Sequence, residues 1–166
     1  AIFGTGTDRL CDWLRRHPPR RFVFTSSTSV YAQTHGDIVT ESSTAAGAGE
    51  TGQILRRAEE AFRASLPGNS QASILRVAGI YGPERGHLFL KFLADEATIT
   101  GDRNRWLNQV HRDDVVGAIR QVLNRPTVPA VINVADNEPV RQQAFFAWLA
   151  ERLGKAMPPA GEAAKK

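Results

Sequence analysis

Three short runs rich in apolar residues, separated by helical stretches, constrain the fold of this chain most strongly. They lie at 21–26 (RFVFTS), 73–78 (SILRVA) and 131–135 (VINVA). Short runs without alternation between apolar and polar residues are typical of strands that are buried on both faces. Because helical stretches separate the runs, the strands are expected to pair in parallel through crossover connections. The sequence therefore predicts an α/β fold with a parallel sheet and flanking helices.

Amphipathic stretches around these runs predict the helices. We expect helices at about 7–16, from near Thr51 to 65, and at about 87–94, 113–124 and 142–153. In the helix from Thr51, the apolar positions form one stripe and leave Glu59 on the solvent side. The last helix is predicted to bury Phe145, Trp148 and Leu149. Residues 1–154 would form one domain, followed by a flexible tail at 155–166.

The composition excludes several classes of protein. The 166 residues, 42% apolar and 23% charged with both signs present, indicate one globular domain rather than a disordered chain. The net charge of +4 comes from arginines that are spread along the chain, so we expect no nucleic-acid partner. No segment approaches the roughly 18 to 20 apolar residues of a membrane span, so we expect no membrane partner.

Cysteine and histidine usage bears on compartment and on metals. Cys11 is the single cysteine and cannot form an internal disulfide, which suits a cytoplasmic protein. We interpret it as a small packing residue on a helix, with a reactive thiol as the alternative. The four histidines, at 17, 35, 87 and 111, lack the close spacing of metal ligands. The sequence therefore predicts no structural metal.

Four motifs follow one another in an order that is typical of one enzyme family. They are FVFTSSTSVYA at 22–32, ILRVAGIYGP at 74–83, VHRDDVVGAI at 110–119 and VINVADNEP at 131–139. Together they resemble the NAD-dependent epimerase/dehydratase family, within the extended and atypical short-chain dehydrogenase/reductase superfamily. The resemblance implies a Rossmann-like sheet that binds NAD or NADP. It also implies a small C-terminal region that binds a substrate, often a nucleotide sugar.

The glycine-rich turn of that family is not found in this sequence. The turn, Gly-x-x-Gly-x-x-Gly, aims a helix N-terminus at the cofactor pyrophosphate, whereas Arg9 stands at the third glycine position after Gly4 and Gly6. The only methionine is Met157. We therefore expect residues 1–154 to be the C-terminal part of a Rossmann-like domain whose N-terminal half is absent, and NAD or NADP to bind only with that half. The alternative is a natural half-domain that needs a partner.

The resemblance assigns catalysis and cofactor binding to strand ends. Ser27 matches the family's catalytic serine, and its alternative role is to satisfy the strand end. The family's tyrosine falls on Thr51 or Gly52 of this chain. The lysine falls on Leu55 or Arg56, so neither register restores the acid–base pair. The implied cofactor-binding residues are Ser26, Ser27, Ala78, Gly79 and Ile80.

Polar residues that follow strands are the candidates for substrate binding. Arg85 and His87 follow the Tyr-Gly-Pro turn, and His111 and Arg112 precede a predicted helix. Loops in such positions commonly carry specificity. Asp113 is instead the natural N-cap of that helix. We therefore expect Arg85, His87, His111 and Arg112 to face a small-molecule substrate.

Two functions stay open from the sequence. The first is an NAD(P)-dependent epimerase/dehydratase or oxidoreductase that acts on a small substrate, with a nucleotide sugar as one candidate. The second is a non-catalytic NAD(P)-binding sensor or partner subunit that lacks the tyrosine–lysine pair. Gly79 stands where many sugar-nucleotide enzymes of the family carry an asparagine, which argues against an ordinary nucleotide-sugar substrate. A homodimer is left open.

Overall fold

The computed structural model describes residues 2–33, 35–47, 49–99 and 101–161. The chain divides into two compact units. The first unit takes in 1–78 and 113–134, and the second takes in 79–112 and 135–166. The predicted fold class, an α/β arrangement with a parallel sheet and flanking helices, is confirmed.

The described residues form the following elements. The helices are α1 (Thr7–Arg16), α2 (Glu50–Ser65), α3 (His87–Leu93), α4 (Arg112–Asn124) and α5 (Gln142–Leu153). The strands are β1 (Arg21–Ser27), β2 (Gln71–Val77), β3 (Gly79–Tyr81), β4 (Trp106–Leu107), β5 (Gln109–His111), β6 (Val131–Val134) and β7 (Val140–Arg141). A 3₁₀ turn at Thr28–Val30 follows β1. Helix α4 begins one residue before Asp113, so this carboxylate lies in the first helical turn, where the helix dipole favours a negative charge.

The sheet of the first unit contains the three apolar runs in the order β1-β2-β6, all parallel. Its central strand β2 is the most deeply buried, with Ile74 and Leu75 almost completely inaccessible. In the register of the sheet, Ser27 lies opposite Val77, and Val77 lies opposite Val134. The carboxyl ends of the three strands therefore lie at one edge, which is where ligands bind in open α/β sheets.

Helices α1 and α2 pack against β1 through one apolar cluster. Cys11 and Leu14 of α1 contact Ala58 and Phe62 of α2, and Phe24 of β1 packs against the same cluster. The rings of Phe24 and Phe62 meet edge to face, with centroids 4.8 Å apart. The free thiol of Cys11 is buried in this cluster, so it takes the packing role that we inferred for it.

The second unit contains short strand pairs and two helices. Strands β3 and β5 are parallel, and β4 and β7 are antiparallel. Its core contains Phe92 of α3, Phe146 and Leu149 of α5, and the intervening Ala97 and Ile99. The rings of Phe92 and Phe146 stack with centroids 5.9 Å apart. Strands of two or three residues carry no recognisable pattern, and the sequence did not predict these pairs.

The segment after Lys155, for which we expected a flexible tail, makes specific contacts up to residue 161. Lys155 pairs with Asp95 at 2.8 Å. The Ile99 N–H donates to the Pro159 carbonyl at 3.0 Å, and the Gly161 N–H donates to the Ile99 carbonyl at 3.1 Å. Residues 162–166 lie outside the described residues.

Within the described ranges, no helix combines the length and the apolar character that a membrane crossing requires.

Candidate functional site

The two serines at the end of β1 have different partners. Ser26 is buried, and its hydroxyl donates to Glu59 Oε1 at 2.6 Å. Ser27 is partly exposed, and its Oγ accepts a hydrogen bond from the Ser29 N–H at 3.2 Å. Because side chains alternate along a strand, the two hydroxyls point to opposite faces of β1. The Ser26 side chain anchors β1 to α2, and the cofactor contact that we expected of Ser26 stays a prediction.

A buried ion pair between Glu59 and Arg76 lies next to the Ser26 hydroxyl. Glu59 is 0% exposed and Arg76 is 4% exposed, and they bond at two points, with Nη2 to Oε2 at 2.8 Å and Nε to Oε1 at 3.2 Å. Arg76 Nη1 also donates to Tyr31 Oη at 3.1 Å, and Tyr31 donates to Asn133 Oδ1 at 2.7 Å. Burial alone would lower the pKa of Arg76, but the hydrogen bonds to Glu59 and Tyr31 raise it above its ordinary value. The network therefore joins Glu59 of α2 to Ser26 of β1 and Arg76 of β2, and through Tyr31 it reaches Asn133 of β6.

The position of Glu59 corrects the prediction from the helical pattern. We expected its side chain on the solvent side of α2, and that prediction is wrong. The pattern treats a charged residue as exposed, whereas an acidic group can be buried when a cation and further donors satisfy it. The signal that could have revealed it is Arg76, the one charged residue in strand β2.

Three of the four positions on α2 at which the family's tyrosine and lysine would fall make close contacts. A Cβ added to Gly52 would overlap the backbone carbonyl oxygen of Ser29, so a tyrosine cannot occupy this position without moving the helix. Leu55 is buried in an apolar cluster. Arg56 donates to the Ala45 carbonyl at 3.2 Å and pairs with Glu60 at 2.8 Å. Neither register therefore supplies an acid–base pair.

The second unit contains a cavity of about 750 Å³. Five of the predicted site residues line it, namely Gly79, Ile80, Arg85, His87 and His111. The rings of Tyr81 and His111 meet edge to face, with centroids 5.3 Å apart. Gly82, at φ +147°, allows the turn after Tyr81 to lie close to His111, because a Cβ on residue 82 would lie 3.2 Å from His111 Nε2. Strand pairing thus gathers residues from two motifs around one cavity.

The remaining predicted residues lie elsewhere. Ala78 belongs to the first unit, where its N–H donates to the Val134 carbonyl at 3.0 Å. Gly79 does line the cavity, but its N–H donates within the protein, to the Asn108 carbonyl at 3.1 Å. Arg112 follows His111 as the first residue of α4 and is not among the described residues that line the cavity.

Sequence reasoning missed several residues that line this cavity. They include Tyr81, Phe89, Asn108, Asp136 and Glu138. Trp148, which we expected to be buried, is 54% exposed and lines the cavity instead. Asp136 and Glu138 follow the predicted strand at 131–135, and polar residues directly after a strand are candidates for a binding site. This position was the signal that could have revealed them. Among the residues that the structure describes, no group of three or more histidine, cysteine, aspartate or glutamate side chains is placed to hold a metal ion.

Comparisons with known proteins agree with this architecture. The protein YeeZ of Escherichia coli strain K12 is 33% identical to this chain over 149 residues, which are 90% of this chain and 52% of YeeZ. The chain superimposes on MoeE5, whose structure contains UDP-glucose and NAD, with a TM-score of 0.83 and 25% identity, covering 97% of this chain and 57% of MoeE5. A conserved protein of unknown function from Silicibacter pomeroyi gives a TM-score of 0.74 and 28% identity, covering 99% and 56%.

The chain thus spans about half the length of the relatives that it matches. Residues 4–135 match the NAD dependent epimerase/dehydratase family. This match includes the three-stranded sheet, Ser27 and the motif that ends in Tyr-Gly-Pro. The chain belongs to the NAD dependent epimerase/dehydratase family.

Proposed function

We propose that this chain carries the strand-end serine and the substrate cavity of an NAD(P)-dependent enzyme of the epimerase/dehydratase or oxidoreductase type. The observation that carries the proposal is the edge of the parallel sheet at which Ser27 lies opposite Val77, in a chain that belongs to this family. Ligands of open α/β sheets bind outside the carboxyl ends of the strands. MoeE5, whose fold resembles that of this chain, binds NAD.

The strand end at Ser27 suits the nicotinamide end of the dinucleotide. Ser27 offers a partly exposed hydroxyl whose Oγ accepts from the Ser29 N–H, so the hydroxyl hydrogen points away from that N–H and can be donated to a ligand. The sequence offers no glycine-rich turn for the pyrophosphate. When bound, the nicotinamide supplies the hydride acceptor. We assign to Ser27 the role of orienting the reacting group, and to the second-unit cavity the role of binding the substrate.

A non-catalytic NAD(P)-binding sensor is the second candidate. The observations that favour it are the contact of Gly52 with the Ser29 carbonyl, which leaves no room for a tyrosine in that register, and the threonine that stands at position 51 in the other register. The enzyme needs a different proton-transfer group, and the cavity holds titratable side chains such as His111, Asp136 and Glu138. A sensor needs no such group.

Cofactor titration of the complete gene product tests the proposal. We expect calorimetry with NAD and with NADP to detect binding of at least one of them. A substrate should then be converted: an oxidoreductase gives reduced cofactor, measured by its absorbance, whereas an epimerase or dehydratase reoxidises its cofactor in the same turnover and gives an isomerised or dehydrated product, measured by chromatography. Binding without conversion of substrate would favour the sensor, whereas no binding of either cofactor would refute both functions. A cytoplasmic location and a homodimer stay predictions.

A further inference from the structure

The second-unit cavity has a predominantly apolar wall. Phe89 of α3 and Phe145 and Trp148 of α5 line it together with Ile80, Leu88 and Leu149. Apolar walls of this kind favour ligands that bury apolar surface, because removing such surface from water is the main source of binding free energy. A volume of about 750 Å³ is sufficient for a small molecule that contains one or more rings.

The charges around the cavity are mixed in sign. Among the described residues that line it, Arg85 is the one permanently cationic side chain, whereas Asp136 and Glu138 are both acidic. His87, His111 and Tyr81 are the other ionisable groups among the described residues that line it. A nucleoside diphosphate carries two or more negative charges and is normally bound by several arginines, lysines or backbone N–H groups. Two carboxylates in the same wall would repel it.

We propose that this cavity binds an uncharged, largely apolar small molecule with a ring, and not a nucleoside diphosphate. The inference rests on the proposed function, because that function identifies the cavity as the substrate site. The polar groups at Arg85, His111 and Glu138 then serve to orient a hydroxyl or carbonyl of the ligand, while the aromatic side chains bind its body. This assigns to the protein a substrate class different from the UDP-glucose that is bound to MoeE5.

Two probes distinguish the ligand classes in calorimetric titrations of the complete gene product. The first is 2-naphthol, an uncharged molecule with an apolar ring system, and the second is UDP-glucose. We expect 2-naphthol to bind with a dissociation constant at least about tenfold lower than that of UDP-glucose. Titration of NAD and NADP in the same preparation reports on the proposed function separately.

Matched variants locate the binding. Trp148→Ser and Phe89→Ser remove partly exposed wall residues, and each should weaken 2-naphthol binding by about fivefold or more. Trp13→Ser is the control, because Trp13 is 50% exposed, close to the 54% of Trp148, but lies on α1 of the first unit and does not line the cavity. The control should change affinity by less than about twofold. Circular dichroism verifies that the variants are folded.

Several results would overturn the inference while leaving the proposed function intact. One is tighter binding of UDP-glucose than of 2-naphthol, which would point to the neighbouring cavity of about 250 Å³ that Lys91 and Arg105 line. Another is no binding of 2-naphthol up to about 1 mM. The last is a loss of affinity that is equal in the cavity variants and in Trp13→Ser.

Discussion

Glu59 and Arg76 form a buried ion pair joined at two points, with Nη2 to Oε2 at 2.8 Å and Nε to Oε1 at 3.2 Å, behind the end of β1. The pair is surrounded by donors and acceptors rather than by water, because Ser26 donates to Glu59 and Arg76 donates to Tyr31. The pair connects helix α2 to β2, and the hydrogen bond from Ser26 to Glu59 connects it to β1, the strand that ends in Ser27. We infer that the hydrogen bond from Ser26 to Glu59 helps to hold Ser27 in position, although the Ser27 side chain does not take part in it.

Glu59→Gln tests this connection. The substitution keeps the shape of the side chain but leaves the Arg76 guanidinium buried without a counter-charge. Removing one partner of a buried pair costs about 3–5 kcal/mol, and we expect the free energy of unfolding to fall by about that amount. Urea denaturation followed by circular dichroism measures the change.

Glu60→Gln is the matched control for Glu59→Gln. Glu60 is the next residue of α2 and also pairs with an arginine, Arg56, but its side chain is 58% exposed. Exposed pairs contribute little, so the control should change stability by less than about 1 kcal/mol. An equal effect of the two substitutions would contradict the burial of Glu59.

The close approach of α2 to the turn after β1 gives a second prediction. Gly52→Ala should destabilise the protein by about 1–3 kcal/mol, because the added Cβ would overlap the Ser29 carbonyl and push the helix away. Alanine ordinarily stabilises a helix relative to glycine, so the sign of the effect is diagnostic. Thermal and urea unfolding give the measurement.

Gly117→Ala provides the comparison for Gly52→Ala. Gly117 lies in α4, and a Cβ there would meet nothing within 4 Å. This substitution should raise the free energy of unfolding by about 0.5–1 kcal/mol. A stabilising effect at both glycines would mean that α2 does not contact the turn.

The sheet could be predicted from the sequence because its strands have four to seven residues and each contains a cluster of apolar side chains. The run at 21–26 was predicted within one residue of the observed end of β1, whereas β2 begins two residues earlier than the run at 73–78. The short pairs β3–β5 and β4–β7 could not be predicted, because two or three residues carry no period. They are what gathers Tyr81 and His111 around the cavity.

Two predictions failed in opposite directions, and both used the rule that charged side chains are exposed and apolar side chains are buried. Glu59 was predicted to be exposed because it is charged, and Trp148 was predicted to be buried because it is apolar. Partners that are distant in sequence decide both cases. Arg76 compensates the charge of Glu59, and the opening of the cavity leaves Trp148 half-exposed. A periodic pattern reports on one element and contains no information about either partner.

A third prediction concerns the turn that approaches His111. Gly82→Ala should destabilise the protein by about 1–3 kcal/mol, because Gly82 has φ +147° and an added Cβ would lie 3.2 Å from His111 Nε2 and 3.3 Å from Arg112 Cβ. Gly101→Ala is the control, since φ is +68° there but no atom lies within 4 Å of the added Cβ. The control should cost less, and a larger loss at Gly101 would contradict the close contact. Urea unfolding of both variants measures the difference.

The last prediction separates the two serines at the end of β1. Ser27→Ala in the complete gene product should lower the turnover of an identified substrate about tenfold or more, because it removes the hydroxyl that we assign to the reacting group. Its stability should change little, since the hydrogen bond to the Ser29 N–H is at a partly exposed position. Ser26→Ala should do the reverse. It removes a buried donor to Glu59 and should lower the free energy of unfolding by about 1–3 kcal/mol. Steady-state kinetics and urea unfolding of both variants are the measurements, and unchanged turnover in Ser27→Ala would make Ser27 a structural residue of the strand end.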